Sequence, residues 1–279
     1  MKLKSFSKIN LFLKIIKKLK KNNLHQIQSY FCLVNLFDDI FIKKIIGKKD
    51  DIIFKGPFSK RIKTGDNSIK KVLKILRNRK LINNYYSILI NKRIPISAGM
   101  GGGTSNAFHL AKYFLGKKMT QTLINDFENK IGTDFRLFFN NQGFLKNLKK
   151  VQVFKKKHIF YFLIIYPKIR SSTKFAYSKV KDYSPNSKKN IKITNNKAKF
   201  INFLKNENND LQFIIEKRHP IIKKLIIEIE KKKGCYFSRM TGSGSACFGV
   251  FKSLKYARIS LKKIKTKYPS YWATVAKTI

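Results

Sequence analysis

The sequence predicts an α+β fold in two parts, and three observations predict it. The chain has 279 residues, more than one core of about 100–150 residues needs. Strand-like and helix-like hydrophobic periods follow one another without strict βα alternation. A strand, a glycine-rich loop and a helix stand in direct succession over residues 86–115. The two parts are expected over residues 1–155 and 156–279.

The elements follow in order. Ile9, Leu11, Leu13 and Ile15 alternate with Asn10, Phe12 and Lys14, the period of a strand with one buried face. Residues 26–31 and 39–46 read as further strands. Asp66, Asn67 and Ser68 offer capping side chains ahead of Ile69, Val72, Leu73, Ile75 and Leu76, whose spacing is that of an amphipathic helix. A strand is expected at 86–90 and a helix at 108–115. A basic turn at 155–158 precedes a strand at 159–166. Residues 182–196, rich in Ser, Asn and Lys, read as a loop. Helices are expected at 197–204, 210–215 and 220–232, strands at 235–239 and 246–251, and a last helix from Leu254.

Composition excludes several classes. Lys and Arg number 62 against 14 Asp and Glu, a formal charge of +48, and such an excess first suggests a polyanionic partner. The lysines, however, are spread along the chain and accompany abundant Asn, Ile, Phe and Tyr, the residues of AT-rich codons. A nucleic-acid footprint would cluster on one face, so base-composition bias accounts for the charge and no nucleic-acid partner is expected. Cys32, Cys235 and Cys247 are odd in number and far apart, which suits reduced thiols and neither a disulfide framework nor a metal knuckle. His25, His109, His158 and His219 have no metal-ligand spacing, so no metal ligand is assigned. The longest apolar run, 159–166, is too short to span a bilayer. A soluble, cytoplasmic protein without a membrane partner is expected.

The chemistry concentrates in two glycine clusters. Pro95, Ile96, Ser97, Ala98, Gly99, Met100, Gly101, Gly102, Gly103, Thr104 and Ser105 link a strand to a helix, with four glycines in five positions and two hydroxyls after them. Glycine lets backbone N–H groups turn inward, and the helix N-terminus adds positive dipole, so the segment reads as a phosphate cradle. The plainer reading is a glycine turn. It lacks the Gly-Lys-Ser/Thr ending of nucleotide P-loops and the Gly-x-Gly-x-x-Gly spacing of dinucleotide folds, and the chain holds no His-Arg-Asp or Asp-Phe-Gly triplet. The second cluster, Thr241, Gly242, Ser243, Gly244, Ser245, Ala246 and Cys247, reads alone as a tight hairpin.

Taken with the strand 6–13, which carries Lys8, these two loops give the sequence three motifs in the order found in the galactokinase, homoserine kinase and mevalonate kinase (GHMP kinase) superfamily, which it resembles. Within it, the chain resembles the 4-diphosphocytidyl-2-C-methyl-D-erythritol kinase family through Leu24-His25 with Gln28, Gly65-Asp66-Asn67, Ile131-Gly132-Thr133-Asp134, Ser172-Thr173 with Tyr177, and Asn209-Asp210-Leu211. The resemblance implies a two-domain GHMP-kinase-like fold with ATP and substrate in the interdomain cleft, residues 1–155 forming the ATP-binding and catalytic domain and 156–279 the substrate-side domain. It implies transfer of the γ-phosphoryl group of ATP, accompanied by Mg²⁺, to the 2-hydroxyl of a cytidine-diphosphate-linked methylerythritol.

By the same match Asp134 is the base and Lys8 the active-site lysine. Asn67 lies near the adenine, and Asn10, His25, Thr173, Tyr177, Gly242, Ser243 and Gly244 line the substrate. The chemistry suits those roles: an attacking alcohol needs a carboxylate for its proton and a cation for developing charge. The plain alternatives are a helix cap for Asp134, a surface lysine for Lys8 and a loop histidine for His25. Departures are visible: Phe6-Ser7 replaces Pro-Ala, Asn22-Asn23-Leu24-His25 replaces Asp-Gly-Tyr-His, and Asn147-Leu148-Lys149-Lys150 replaces Gly-x-Gly-Glu. Another kinase of the superfamily, of homoserine or mevalonate type, is the alternative enzyme, and an RNA-binding protein on an inactive kinase fold the alternative from another class.

Overall fold

The computed structural model describes residues 1–19, 24–60, 62, 65–154, 157–185 and 196–279. Asn22 and Asn23, most of the loop expected at 182–196 and part of the turn expected at 155–158 lie outside the described residues. In chain order β1 (Lys2–Asn10), β2 (Lys14–Lys18) and the long β3 (His25–Ile45) precede β4 (Asp51–Lys55), α1 (Ser68–Asn78), β5 (Tyr85–Asn91), α2 (Gly102–Leu115) and α3 (Gln121–Lys130). A 3-10 turn (Thr133–Phe139), β6 (Gln142–Asn147), β7 (Lys150–Gln152), β8 (Tyr161–Tyr166), α4 (Thr173–Ser178) and α5 (Lys197–Lys205) come next. The chain continues with α6 (Gln212–Arg218), α7 (Ile221–Glu230), β9 (Cys235–Met240), β10 (Cys247–Phe251), α8 (Leu254–Lys267) and β11 (Trp272–Lys277).

Two expectations are corrected. The alternation at 9–15 is not one strand: β1 ends at Asn10 and β2 begins at Lys14, because Leu11 and Leu13 direct their N–H groups to the carbonyls of Tyr30 (2.8 Å) and Asn208 (3.0 Å). The strands expected at 26–31 and 39–46 are one continuous β3. Asp38, which lies between the two expected stretches, is buried and accepts from the N–H groups of Arg93 and Ile94.

The chain forms two compact units that interleave in sequence. The first comprises Met1–Ser7, Leu36–Ile96 and Gly101–Phe139, the second Lys8–Asn35, Ser97–Met100 and Asn140–Ile279. The stretches flanking the division expected at 155/156 thus both belong to the second unit.

In the first unit β5 pairs antiparallel with the end of β3 (Ile42 opposite Ile88) and parallel with β4 (Ile52 opposite Ile88). Ile40, Ile42, Ile88 and Ile90 are buried while Phe41 and Ile53 are exposed, the two-residue period of a sheet with one covered face. Helix α1 buries Ile69, Val72, Leu73 and Leu76 on one stripe, and Asn67 caps it by accepting from the N–H groups of Ile69 and Lys70 at 3.1 Å each. In the second unit β2 and β6 flank the start of β3 antiparallel, and β11-β8-β10-β9 form a four-stranded antiparallel sheet. Helix α7 closes on that sheet over Gly249, where a Cβ would overlap Ile229.

In the first unit Asp50 ties three elements together. It receives both terminal nitrogens of Arg77 from α1 (2.6 and 2.8 Å) and the N–H of Tyr86 in β5 (2.9 Å). Charge-assisted bonds of this kind contribute more than neutral ones. Asp50→Ala is expected to lower stability by roughly 1.5–3 kcal/mol, read as a shift of the urea midpoint at unchanged slope.

Candidate active site

Within the second unit the two glycine clusters meet backbone to backbone. Gly99 has φ +75°, and a Cβ there would overlap the carbonyl oxygen of Thr241 and stand 2.9 Å from the nitrogen of Gly244. Gly242, at φ +55°, would place a Cβ 2.7 Å from the oxygen of Gly99. Only glycine permits either approach. The N–H of Ala246 donates to the carbonyl of Ala98 at 3.2 Å, and the N–H of Ser171 to that of Ser97 at 3.2 Å. The segment that reads as a hairpin in sequence is the turn between the antiparallel β9 and β10, and it also walls the first loop.

The same contact carries Lys8 and Asn10. The N–H of Lys8 donates to the carbonyl of Met100 at 3.1 Å. Its ammonium donates to the Asn10 side-chain oxygen, and its Nζ lies 3.2 Å from the Cβ position of Gly242. Lys8 is 3% exposed. A buried ammonium is expensive unless partners receive it, so this is not one of the surface lysines. Asn10 is fixed on both sides, its N–H donating to the Thr241 hydroxyl (3.0 Å) and its amide nitrogen to the Ser29 hydroxyl (2.8 Å).

Asn209 and Asp210, which the sequence offers only as part of a family motif without a role, and Arg239, which sequence reasoning missed, brace the second loop and the segments beside it. Asn209 donates from its amide to the carbonyls of Met240 and Gly242, both at 2.8 Å. Arg239 donates to the carbonyl of Leu11 at 2.7 Å, and burial draws its pKa down to about 10 against the pull of Glu207 and Glu230. Asp210 accepts from the N–H of Ile15 (2.7 Å) and the hydroxyl of Ser184 (2.8 Å). The signal available was the polar triplet Asn208-Asn209-Asp210 between two helical stretches.

The residues assigned to substrate gather nearby in the same unit. The Thr173 and Ser243 hydroxyls are 2.9 Å apart, and the Ser171 hydroxyl donates to the Ser243 carbonyl at 2.5 Å. The rings of His25 and Tyr177 lie 5.2 Å apart at 33°, with Tyr183 6.4 Å from His25 on a similar tilt. Burial, with Lys18 beside it, lowers the His25 pKa, so its imidazole is neutral at pH 7.

The first unit holds the helix end of the glycine loop. Gly101, the N-cap of α2, has φ +69°, a left-handed turn that glycine adopts without strain. Helix α2 starts on Gly101 with no side chain capping it, so its first N–H groups are available to an external anion. A Cβ on Gly103 would stand 3.8 Å from the hydroxyl of Ser68, the first residue of α1 after its cap Asn67. Those features fit a polyphosphate. Asp134 sits in the first turn of the 3-10 segment. Phe135 anchors that segment against Phe108 (5.3 Å) and stacks on Phe127 (4.9 Å). Gly132, which leads into it, would place a Cβ 3.8 Å from the Thr104 hydroxyl.

Each unit thus assembles part of the expected set. The first holds Asn67, Pro95, Ile96, Gly101 to Ser105 and Asp134; the second holds Lys8, Asn10, His25, Ser97 to Met100, Thr173, Tyr177 and Gly242 to Gly244. Among the described residues no group of three or more His, Cys, Asp or Glu side chains could hold a metal ion, and Cys32, Cys235 and Cys247 are free thiols.

A family model described as the C-terminal part of GHMP kinases matches residues 195–270. The chain is 36% identical over 283 residues to the 4-diphosphocytidyl-2-C-methyl-D-erythritol kinase of Pelagibacter ubique (strain HTCC1062), covering 100% of this chain and 99% of the relative. It is 30% identical over 282 residues to the kinase of the same name from Wolbachia pipientis wMel, covering 96% and 95%. Among solved structures, a 4-(cytidine 5'-diphospho)-2C-methyl-D-erythritol kinase superposes with a TM-score of 0.72 at 20% identity, covering 99% of both chains. The homoserine kinase of Cytophaga hutchinsonii superposes at 0.62 and 14% identity, covering 100% of this chain and 94% of that one. At these identities the two structures establish the fold.

Gly99→Ala is expected to cost about 2 kcal/mol or more through the left-handed backbone and the overlap with Thr241, measured as a lowered melting temperature together with lost nucleotide binding. The lowered pKa of His25 makes stability pH-dependent with a definite sign. The unfolded imidazole takes up its proton near 6.5 and the folded one only below that, so stability is full above 6.5 and declines as pH falls through the folded pKa. Melting scans between pH 7.5 and 5 are expected to show a smaller decline for His25→Gln than for the wild type.

Proposed function

The chain belongs to the 4-diphosphocytidyl-2-C-methyl-D-erythritol kinase family, and on that premise we propose that it transfers the γ-phosphoryl group of ATP to the 2-hydroxyl of 4-(cytidine 5'-diphospho)-2-C-methyl-D-erythritol. It is a GHMP-type small-molecule kinase of the methylerythritol phosphate route to isoprenoids. The observation that carries the assignment is the kinship over the full chain, 36% identity with 100% and 99% coverage. Lys8, Asp134 and both glycine loops, present in the chain, are the residues to which the roles below are assigned.

We assign the roles as follows. The N–H groups from Ser97 to Ser105, with the positive end of α2, bind the phosphate oxygens of ATP, and Pro95, Ile96 and Asn67 border the nucleotide. Magnesium, arriving with ATP, supplies charge neutralisation on the phosphates when bound. Asp134 accepts the proton of the acceptor hydroxyl as it attacks phosphorus, and Lys8 offsets the charge that develops there. Asn10 keeps the Lys8 ammonium in place, as its hydrogen bond supports.

Substrate recognition is assigned to His25, Thr173, Tyr177 and the turn Gly242, Ser243 and Gly244. The tilted His25 and Tyr177 rings suit an aromatic base by stacking, and a neutral imidazole can accept as well as donate a hydrogen bond. Leu24 stands where the family's tyrosine does, so stacking falls to the other rings. Residues 1–155 then carry most of the nucleotide and catalytic groups and 156–279 most of the remainder, a division of chemistry and not of packing. Among the described residues no helix is long and apolar enough to cross a membrane.

Turnover of ATP with the cytidine-diphosphate-linked methylerythritol tests the proposal. Asp134→Asn is expected to lower kcat by roughly 10²–10⁴-fold with the KM for ATP nearly unchanged, and Lys8→Met to lower kcat on the order of 10²-fold or more. Absence of turnover by a folded wild type that binds ATP would redirect the search to homoserine and mevalonate as acceptors.

A further inference from the structure

The first unit contains a buried polar cluster that none of the catalytic roles uses. Asp38, in β3, is 0% exposed and Lys92, after β5, is 2% exposed, and the two form an ion pair. One oxygen of Asp38 accepts from the N–H groups of Arg93 (2.7 Å) and Ile94 (2.9 Å), the two residues just ahead of Pro95. The other oxygen receives Lys92 and the amide of Asn106 (3.0 Å). Asn106, in the first turns of α2, accepts from the Lys92 ammonium at 2.9 Å and donates to the Ser5 hydroxyl at 2.9 Å. Ser5 continues to Ser105 at 2.8 Å, and Ser105 to the carbonyl of Phe6 at 2.6 Å.

Both ends of the glycine loop therefore end on one carboxylate. Arg93 and Ile94 lead into the loop, while Ser105 and Asn106 lead out of it. The Lys92 ammonium lies 3.5 Å from the Cβ position of Gly102, the first residue of α2, and a Cβ there would press on Ile94 at 2.9 Å. Burial draws the Lys92 pKa down and Asp38 opposes it. Leaving either charge without the other inside a core is strongly unfavourable, so the pair fixes the separation of the loop's two ends before any ligand arrives. Such preorganisation is worth affinity, because the ordering of the loop is not charged to the binding step.

We propose that Asp38 and Lys92, coupled through Asn106, are positioning residues for a nucleoside triphosphate: they clamp the entrance and exit of the glycine loop so that its N–H groups stay aimed at the phosphates. The inference rests on the kinase reading above. The clamp touches neither the acceptor pocket residues nor Lys8, so its loss weakens nucleotide binding selectively.

Asp38→Asn, Lys92→Met, the charge-neutral double variant and Asn106→Ala test it, with ATP affinity measured calorimetrically in the absence of acceptor and both KM values measured in turnover. Asp38→Asn keeps an acceptor for Arg93 and Ile94, and Asn106→Ala keeps the ion pair while cutting only the exit link. That pair keeps the test valid if Lys92→Met does not fold. The expected result is ATP binding weakened about tenfold or more in the folded variants, an effect worth about 1.4 kcal/mol per tenfold, with the acceptor KM within about twofold of wild type. Folded variants that bind ATP as the wild type does, or that lose ATP and acceptor equally in step with melting temperature, would overturn the clamp. A folded wild type that fails to bind ATP overturns the kinase reading instead, which keeps the two failures distinct.

Discussion

Contact between two stretches of bare backbone is the constraint on which the site depends. Gly99 and Thr241 are far apart in sequence, yet the space between them leaves no room for a single methyl group. Once glycine allows that approach, the carbonyl of Met100 is in place to receive Lys8, the Thr241 hydroxyl to receive Asn10, and the Gly242 Cα to lie beside the Lys8 ammonium. Asn209 then holds the far loop from behind through two carbonyls. The buried Lys8 side chain donates to Asn10, which the Thr241 hydroxyl holds through its N–H.

The few acids of this basic chain do structural and chemical work out of proportion to their number. With 14 carboxylates against 62 cations, an acid placed only to solubilise the surface is superfluous. Asp38 holds the glycine loop's two ends, Asp50 ties α1 to β4 and β5, Asp210 anchors β2, and Glu128 holds Arg136 of the 3-10 turn that carries Asp134 through bonds of 2.6 and 2.8 Å. The charge excess resides in the lysines; the architecture is written by their rarer partners.

Much of this was legible in the sequence where local rules apply. The first glycine cluster, the Asn67 cap, the helices near 197–204 and 220–232 and the strands near 235–239 and 246–251 follow from glycine content, capping chemistry and hydrophobic period. The short strands β4, β6, β7 and β11 and the helices α3 and α4 were not foreseen, since lysines on their open faces blur the alternation and small residues such as Ala273 and Ala276 weaken it. The break at 11–13 and the continuity of β3 depend on partners distant in sequence, Asn208 and Lys92 among them. The second glycine cluster is the β9–β10 hairpin turn that its sequence suggests, but its place as a wall of the first loop depends on Gly99, a partner distant in sequence.

The family assignment and the geometry bear on one claim, that this chain moves a phosphoryl group between two small molecules. Phosphorus NMR of the protein with Mg²⁺, ATP and the cytidine-diphosphate-linked methylerythritol follows that group directly. The account predicts that the γ-phosphorus signal of ATP is replaced by ADP and by a new phosphomonoester covalently attached to the acceptor, with homoserine and mevalonate giving no such signal. Release of inorganic phosphate alone, or transfer to one of the other two acceptors in preference, would contradict it.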